Sequence, residues 1–373
     1  MTKPTFLALH VLLTAMAHLI AAFSPPGSVV QSAVLVNDII YVYGGQGDGM
    51  QASSNLYTLD VSRSWTTSSP PWANRTSDAG TVSVPKVYAN VMWPSSDGNS
   101  IYIWGGSGGY NVTKKLAQSG FAQYKIATRS WSIPSTIAST PQERYFATVA
   151  WTSFGKAYIW GGWTDVYTGN TSRPKMTSNT NAFDSNKLEW SVLSSNITPR
   201  YGHTATILPT NSAVWSSQNA AGSYTPGPLQ SHNAELGTDG ISIIICGNAS
   251  DVFVLNTQTW SWTQPAIDGT VPPERVGASA VMVNGQMILF FGIHTSENSS
   301  GSYLNDVVIL DTRTTPFRWA TTFDPLTSTN PLAVVGGIGG IIGIIIAVLF
   351  IGVAIFLFIR KPWRRSDNPK SWT

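Results

Sequence analysis

The chain has 373 residues, one Cys, a formal net charge of +3, and only 11% charged residues, well under the usual quarter. The lone Cys246 excludes an intrachain disulfide, a Cys-rich zinc site and an iron–sulfur cluster. Residues 23–331 carry 16 Lys and Arg against 18 Asp and Glu, or −2, and the basic excess lies in residues 360–373, with 5 against 1. The large central part therefore lacks a nucleic-acid footprint.

The first 22 residues read as a secretory signal peptide: Lys3, an apolar run from Phe6 to Ile20, and small residues that place cleavage after Ala17 or Ala22. An uncleaved anchor is the alternative, but the run is short for a span.

From residue 23 to 323 one pattern recurs about every fifty residues. Ile40-Tyr41-Val42-Tyr43-Gly44-Gly45 is followed by Tyr57 and Trp65. Ile101-Tyr102-Ile103-Trp104-Gly105-Gly106 is followed by Tyr124 and Trp131, and Ala157-Tyr158-Ile159-Trp160-Gly161-Gly162 by Phe183 and Trp190. Ile243-Ile244-Ile245-Cys246-Gly247 leads to Phe253 and Trp260, and Ile288-Leu289-Phe290-Phe291-Gly292 to Asp311 and Trp319. Such a period predicts the blades of a radial β-propeller. Each repeat reads as four short strands. In the second these are 88–93, 101–104, 124–126 and 131–133, with hairpin turns elsewhere at Asn37-Asp38, Gly155 and Asn284-Gly285. The Gly pairs are expected where another backbone approaches, and the Trp and Tyr residues are expected to pack between blades. Cys246 is read at the place of the first Gly, as a small buried residue. Residues 210–239 read as a Ser-, Asn-, Gly- and Pro-rich insert between two strands of the fourth repeat. The 29–36 segment is expected to close the ring with strands from the end of the chain.

Residues 324–331 read as a linker, and the 28 uncharged residues 332–359 as one transmembrane helix. Arg360, Lys361, Arg364 and Arg365 follow at once, which puts the 360–373 tail in the cytosol and the propeller outside it. The expected localisation is thus a type I single-pass protein of the cell surface or a secretory-pathway membrane. Six glycosylation sequons agree with that side, at Asn74, Asn111, Asn170, Asn196, Asn248 and Asn298. Gly336, Gly339, Gly340 and Gly343 give the span two small-residue faces, suited to a homodimer through the membrane helix.

The repeats resemble the kelch repeat of the galactose-oxidase/kelch-type propellers, over about Ser28 to Trp319. The resemblance implies an all-β propeller of five recognisable blades, with five or six fitting the length. It also implies a domain that binds other proteins, since most kelch propellers do. The copper-radical sugar oxidases of this superfamily are the enzyme alternative. They use a Tyr crosslinked to Cys, a second Tyr and two His. Here the only Cys lies in an apolar strand, and His203, His232 and His294 are the only His past residue 22. No catalytic set, metal site or cofactor is therefore expected. A structural cell-surface protein is the third reading.

One constellation suits a ligand. Lys86, Arg144, Arg200 and Arg275 open four successive repeats. Radial symmetry would put them around one mouth of the channel, where the kelch resemblance implies a pocket for acidic peptides. Arg pairs carboxylates bidentately. The expected partner is a protein or glycan, anionic on this argument. The bland alternative is that each cation holds a neighbouring loop.

Overall fold

The computed structural model describes residues 23–108, 120–166, 168, 173–193, 198–209, 217–247, 251–294 and 301–325. The proposed signal peptide and membrane span lie outside these residues, as do the sequons at Asn111, Asn170, Asn196, Asn248 and Asn298. Among the described residues no helix is long and apolar enough to cross a membrane.

Five sheets, each built on four antiparallel strands, form the blades, and the fourth and fifth add a parallel edge strand at Ala221–Gly222 and Ile267–Asp268. Blade 1 runs Ser32–Val36, Ile39–Tyr43, Leu56–Asp60 and Trp72–Asn74. Blade 2 runs Val91–Pro94, Ser100–Trp104, Ala122–Lys125 and Ser130–Ser132. Blade 3 runs Thr148–Trp151, Lys156–Trp160, Thr180–Asp184 and Glu189–Leu193. Blade 4 runs Asn233–Leu236, Ser242–Cys246, Val252–Asn256 and Ser261–Thr263. Blade 5 runs Ser279–Val283, Gln286–Phe290, Val307–Asp311 and Phe317–Ala320. Two-residue turns set the hairpin registers: Asn37 (φ 54°) and Asn284-Gly285 (φ 48° and 79°) adopt the left-handed backbone such turns need.

The ring closes differently from expectation. Thr322–Phe323 pairs with Trp65–Thr66, and Trp65 stacks on Phe323 with centroids 5.2 Å apart. The 29–36 segment instead supplies the inner strand of blade 1.

Apolar side chains fill the gaps between neighbouring sheets. Tyr43 of blade 1 meets Trp131 of blade 2 at 5.1 Å. Trp93 and Phe121 of blade 2 meet Phe183 and Trp190 of blade 3 at 5.2–6.2 Å. Trp319 of blade 5 packs with Ile244 and Cys246 of blade 4. Each such fully buried side chain is worth about 1.5–3 kcal/mol, so the interfaces, rather than crosslinks, hold the ring.

The fourth repeat departs from its sequence reading in three ways. First, residues 201–209 carry no strand, although Arg200-Tyr201-Gly202-His203 opens like the other repeats. The inner strand of blade 4 is Asn233–Leu236, inside the stretch read as an insert. Second, the repeat's Trp is Trp262, not Trp260. Trp262 pairs with Leu255 as Trp131 pairs with Tyr124 and Trp190 with Phe183. Trp260 sits two residues earlier in the turn, at φ 52°. Third, Cys246 pairs with Asn233 as Trp104 pairs with Val91, so it takes the place of the last strand residue. Gly247 holds the first Gly place: its N–H bonds Asp251 O, as Gly44 N–H bonds Asn55 O.

Candidate functional site at the aromatic mouth

The inner wall has six segments although the described residues form five blades. Residues 31–33, 90–92, 147–151, 204–207, 233–236 and 278–280 all line a central channel of ≈ 450 Å³. The sixth segment, 204–207, stands between blades 3 and 4. The same six chains make a collar just above it. Val30, Ala89, Phe146, Gly202, Ser231 and Gly277 occupy one register, each with φ between 51° and 66°. Their backbones link in sequence around the axis. Val30 N–H donates to Gly277 O (2.7 Å), Ala89 to Val30 O (2.8 Å) and Phe146 to Ala89 O (3.0 Å). Gly202 donates to Phe146 O (3.0 Å) and Ser231 to Gly202 O (2.9 Å).

The Gly pairs feed this collar. Gly106 N–H donates to Arg144 O (2.8 Å), Gly162 to Arg200 O (2.9 Å) and Gly45 to Val87 O (2.9 Å). A Cβ on Gly105 would lie 2.5 Å from Arg144 O. The close backbone approach expected from sequence is therefore present.

These bonds decide where the four cations go. Arg144 and Arg200 share one register, but in the second repeat Val87 holds it and Lys86 falls one residue early. Lys86 is exposed beside Asp48 and Asn55, in a separate groove. Arg144 is 2% exposed, with its guanidinium 5.1 Å over the Trp104 ring. Burial pushes that guanidinium down to about 10. Arg275 is also 2% exposed and forks onto Asp306 at 2.7 and 2.9 Å, with a further bond to Phe291 O at 3.1 Å. Arg200 lies over Trp160 at 5.1 Å but is exposed. The four do not form a ring around the mouth, because Arg144 and Arg275 are buried and Lys86 is out of register. The local alternative describes Arg275, which bonds Pro273 O and Phe291 O, while Arg144 rests on the Trp104 ring.

What lines the mouth is the next residue in each segment. Tyr88, Tyr145 and Tyr201 follow the register of Val87, Arg144 and Arg200, and Val29 and Val276 take that place in blades 1 and 5. With Phe146, Trp163, Ile293, Tyr303, Met50 and Asp165 they enclose a cavity of ≈ 490 Å³. Its two sides differ. On one, aromatic rings touch in a chain: Tyr88–Tyr145 at 6.2 Å, Tyr145–Phe146 at 5.5 Å, Phe146–Tyr201 at 6.2 Å and Trp163–Tyr201 at 5.4 Å. On the other are Val29, Val30, Val276 and Ile293. Antiparallel bridges fix the second tier of the wall, joining Tyr145 to Trp163, Tyr88 to Ser107 and Val276 to Ile293. Tyr201, at 37% exposed, stands at the rim.

The remaining sequence-singled groups are accounted for locally. His203 sits edge-on to Trp160 at 4.4 Å, and burial, with the charges of Arg200 and His232, pushes it down to about 4. His232 Nε2 and Thr204 Oγ1 are 3.1 Å apart, and His294 Nδ1 bonds Glu274 O at 2.8 Å. Among the described residues no three His, Cys, Asp or Glu converge as metal ligands. Asn74 is exposed at the end of the outer strand of blade 1, and its Oδ1 accepts from Thr76 N–H at 2.9 Å.

Sequence reasoning missed the mouth because it assigned every conspicuous Tyr and Trp to packing. A usable signal was present: Tyr behind the repeat-opening position in three successive repeats.

Fold and mouth together define a kelch-type β-propeller, a class that suggests protein binding. The chain belongs to the Attractin/LZTR1 beta-propeller family, whose model matches residues 20–221. The KLHDC2/KLHL20/DRC7 Kelch-repeats domain model matches residues 206–335. The chain is 23% identical to the acyl-CoA-binding domain-containing protein 4 of Arabidopsis thaliana over 302 residues, 78% of this chain and 38% of that protein. It is 28% identical over 130 residues to the flagellar outer-arm dynein alpha chain of Chlamydomonas reinhardtii, 34% of this chain and 3% of that one. The chain thus spans about two-fifths or less of these relatives.

Proposed function

We propose that this protein is a binding module whose propeller mouth takes a protein ligand outside the cytosol, on a single membrane span. The observation that carries the binding site is the ≈ 490 Å³ mouth, walled by aromatic residues with Tyr201 at its rim. Tyr and Trp supply large contact area at low entropic cost and dominate binding hot spots. Membrane placement is supported by the charge-free 332–359 run, the basic tail behind it and the six sequons. The glycines at 336, 339, 340 and 343 support self-association of that span.

Proximity labelling from the propeller, followed by binding of each recovered protein to purified variants, tests the site. A true ligand loses binding to Tyr201→Ala and Trp163→Ala but keeps it for Val192→Ala, an exposed residue on the outer strand of blade 3. Equal binding to all three contradicts the site. Deglycosidase treatment tests the side of the membrane, and no change in gel mobility speaks against it. Crosslinked dimer that survives replacement of the four glycines by Leu removes the self-association.

A further inference from the structure

We infer that the mouth takes a proline-rich segment of a partner protein in the extended polyproline conformation, its rings against the Trp163–Tyr201 pair and its carbonyls toward that pair's two donors. The inference deepens the binding reading above and rests on it. The wall's own backbone is closed. Around the collar each N–H described above goes to the next chain's carbonyl. In the second tier Tyr88 and Ser107 exchange bonds of 3.0 and 3.0 Å, Tyr145 and Trp163 of 3.1 and 2.8 Å, and Val276 and Ile293 of 3.0 and 3.0 Å. No strand edge is left at these positions for an ordinary peptide, whose N–H groups would lose water without gaining an acceptor.

Charge selects no partner here. Asp165, the one residue of formal charge in the lining, is engaged within the protein. Arg144 and Arg275 are buried on Trp104 and Asp306 and do not line the cavity. What the mouth offers is donors beside ring faces. Among the described residues the Tyr201 hydroxyl and the Trp163 indole N–H have no hydrogen-bond partner, and an indole N–H can only donate. The two rings meet edge to face at 68° with centroids 5.4 Å apart, and Phe146 extends the surface at 6.2 Å from Tyr201. A polyproline segment is the complement of such a wall. It has no N–H to satisfy, its carbonyls are all open to donors, and its rings are apolar and already ordered. The opposite side, Val29, Val30 and Val276, asks only for apolar contact. A neutral sugar fits less well, since its hydroxyls must donate as well as accept and that aliphatic side replaces none of their lost water.

The test uses the full-length protein in detergent and saturation-transfer NMR, which reads weak binding. The probes are end-blocked hexaproline, an end-blocked hexapeptide of alternating Leu and Ser, and a neutral chitin trisaccharide. Hexaproline is expected to bind about tenfold more tightly than the Leu-Ser peptide, with transfer strongest on its ring protons. Tyr201→Phe keeps the ring and removes the donor, and should weaken hexaproline about threefold to tenfold. Tyr201→Ala should weaken it further. Hexaproline held no better than the Leu-Ser peptide, or held by Tyr201→Phe as well as by the parent, overturns the inference. Binding of only the Leu-Ser peptide or the trisaccharide, lost in Tyr201→Ala, overturns it too but leaves the mouth as a binding site. No signal from any probe also overturns it, and the recovered-ligand panel then judges the wider reading separately.

Discussion

Replacing Gly105 by Ala should destabilise the propeller far more than replacing Gly49, although both have φ near +70°. Gly49 is exposed in a short surface turn, and the nearest atom to an added Cβ is 3.9 Å away. Only backbone strain applies there, about 1–2 kcal/mol. At Gly105 the added Cβ would lie 2.5 Å from Arg144 O, a distance real Cβ atoms do not show. Arg144 O is also the acceptor for Gly106 N–H at 2.8 Å. Relief of the clash must move that carbonyl and break the bond, which leaves buried polar groups unpaired at about 1–3 kcal/mol. The sum for Gly105→Ala is about 2–5 kcal/mol. Thermal unfolding followed by Trp fluorescence checks this. At roughly 2–4 °C per kcal/mol for a domain near this size, Gly105→Ala should lower Tm by about 10 °C and Gly49→Ala by about 4 °C. Equal losses, or a neutral Gly105→Ala, would refute the argument that the Gly pairs exist for close backbone approach at the collar.

Arg275→Met should cost about 2–3 kcal/mol in the same assay, because it strips Asp306 and Phe291 O of a buried donor, with a discount for the partly exposed Asp306 carboxylate. Arg200→Ala should cost under about 1 kcal/mol, since its exposed guanidinium lies over the Trp160 ring and, among the described residues, forms no ion pair. His203 is held neutral, at about 4 against 6.5 when unfolded. Its contribution is therefore complete above 6.5 and lost as pH falls from 6.5 to 4, and His203→Asn should flatten that loss by about 2 kcal/mol in urea melts. Glu235 faces the narrow channel, and burial pushes its carboxyl up to about 8 from 4.5. The sign is opposite: stability falls as pH rises from 4.5 to 8, so Glu235→Gln should stabilise at pH 8 by about 2 kcal/mol and change nothing at pH 4. Cys246 is 1% exposed and burial pushes its thiol up to about 12. Maleimide should therefore label it only after denaturation, and labelling of the native protein at pH 8 would contradict the packing.

The fold was legible because a blade is a local unit: strand, turn and terminal Gly recur within one stretch of chain, as a Gly pair in blades 1 to 3 and a single Gly in blades 4 and 5. The fourth repeat misled because two segments of it reach the inner wall. Residues 200–207 and 230–236 both carry the inner-wall pattern, and only pairing with Ser242–Cys246 reveals which one heads a sheet. Sequence spacing could not separate Trp260 from Trp262, since both follow the same strand and only the hairpin register distinguishes them. The site was read one residue off. Spacing placed cations near the mouth, but which residue lines it follows from the register of the backbone bonds. Gly106 captures Arg144 O and Gly162 captures Arg200 O, and in both segments the next residue, Tyr145 or Tyr201, lines the mouth. Tertiary pairing of this kind leaves no trace in composition or spacing.

Hydrogen–deuterium exchange of the protein with and without a recovered protein ligand tests the central claim most directly. Binding at the mouth predicts protection of the segments around Tyr88, Tyr145-Phe146, Trp163–Asp165 and Tyr201, with the outer strands Ser130–Ser132 and Glu189–Leu193 unchanged. Protection confined to those outer strands, with the mouth segments exchanging as in the free protein, would contradict it.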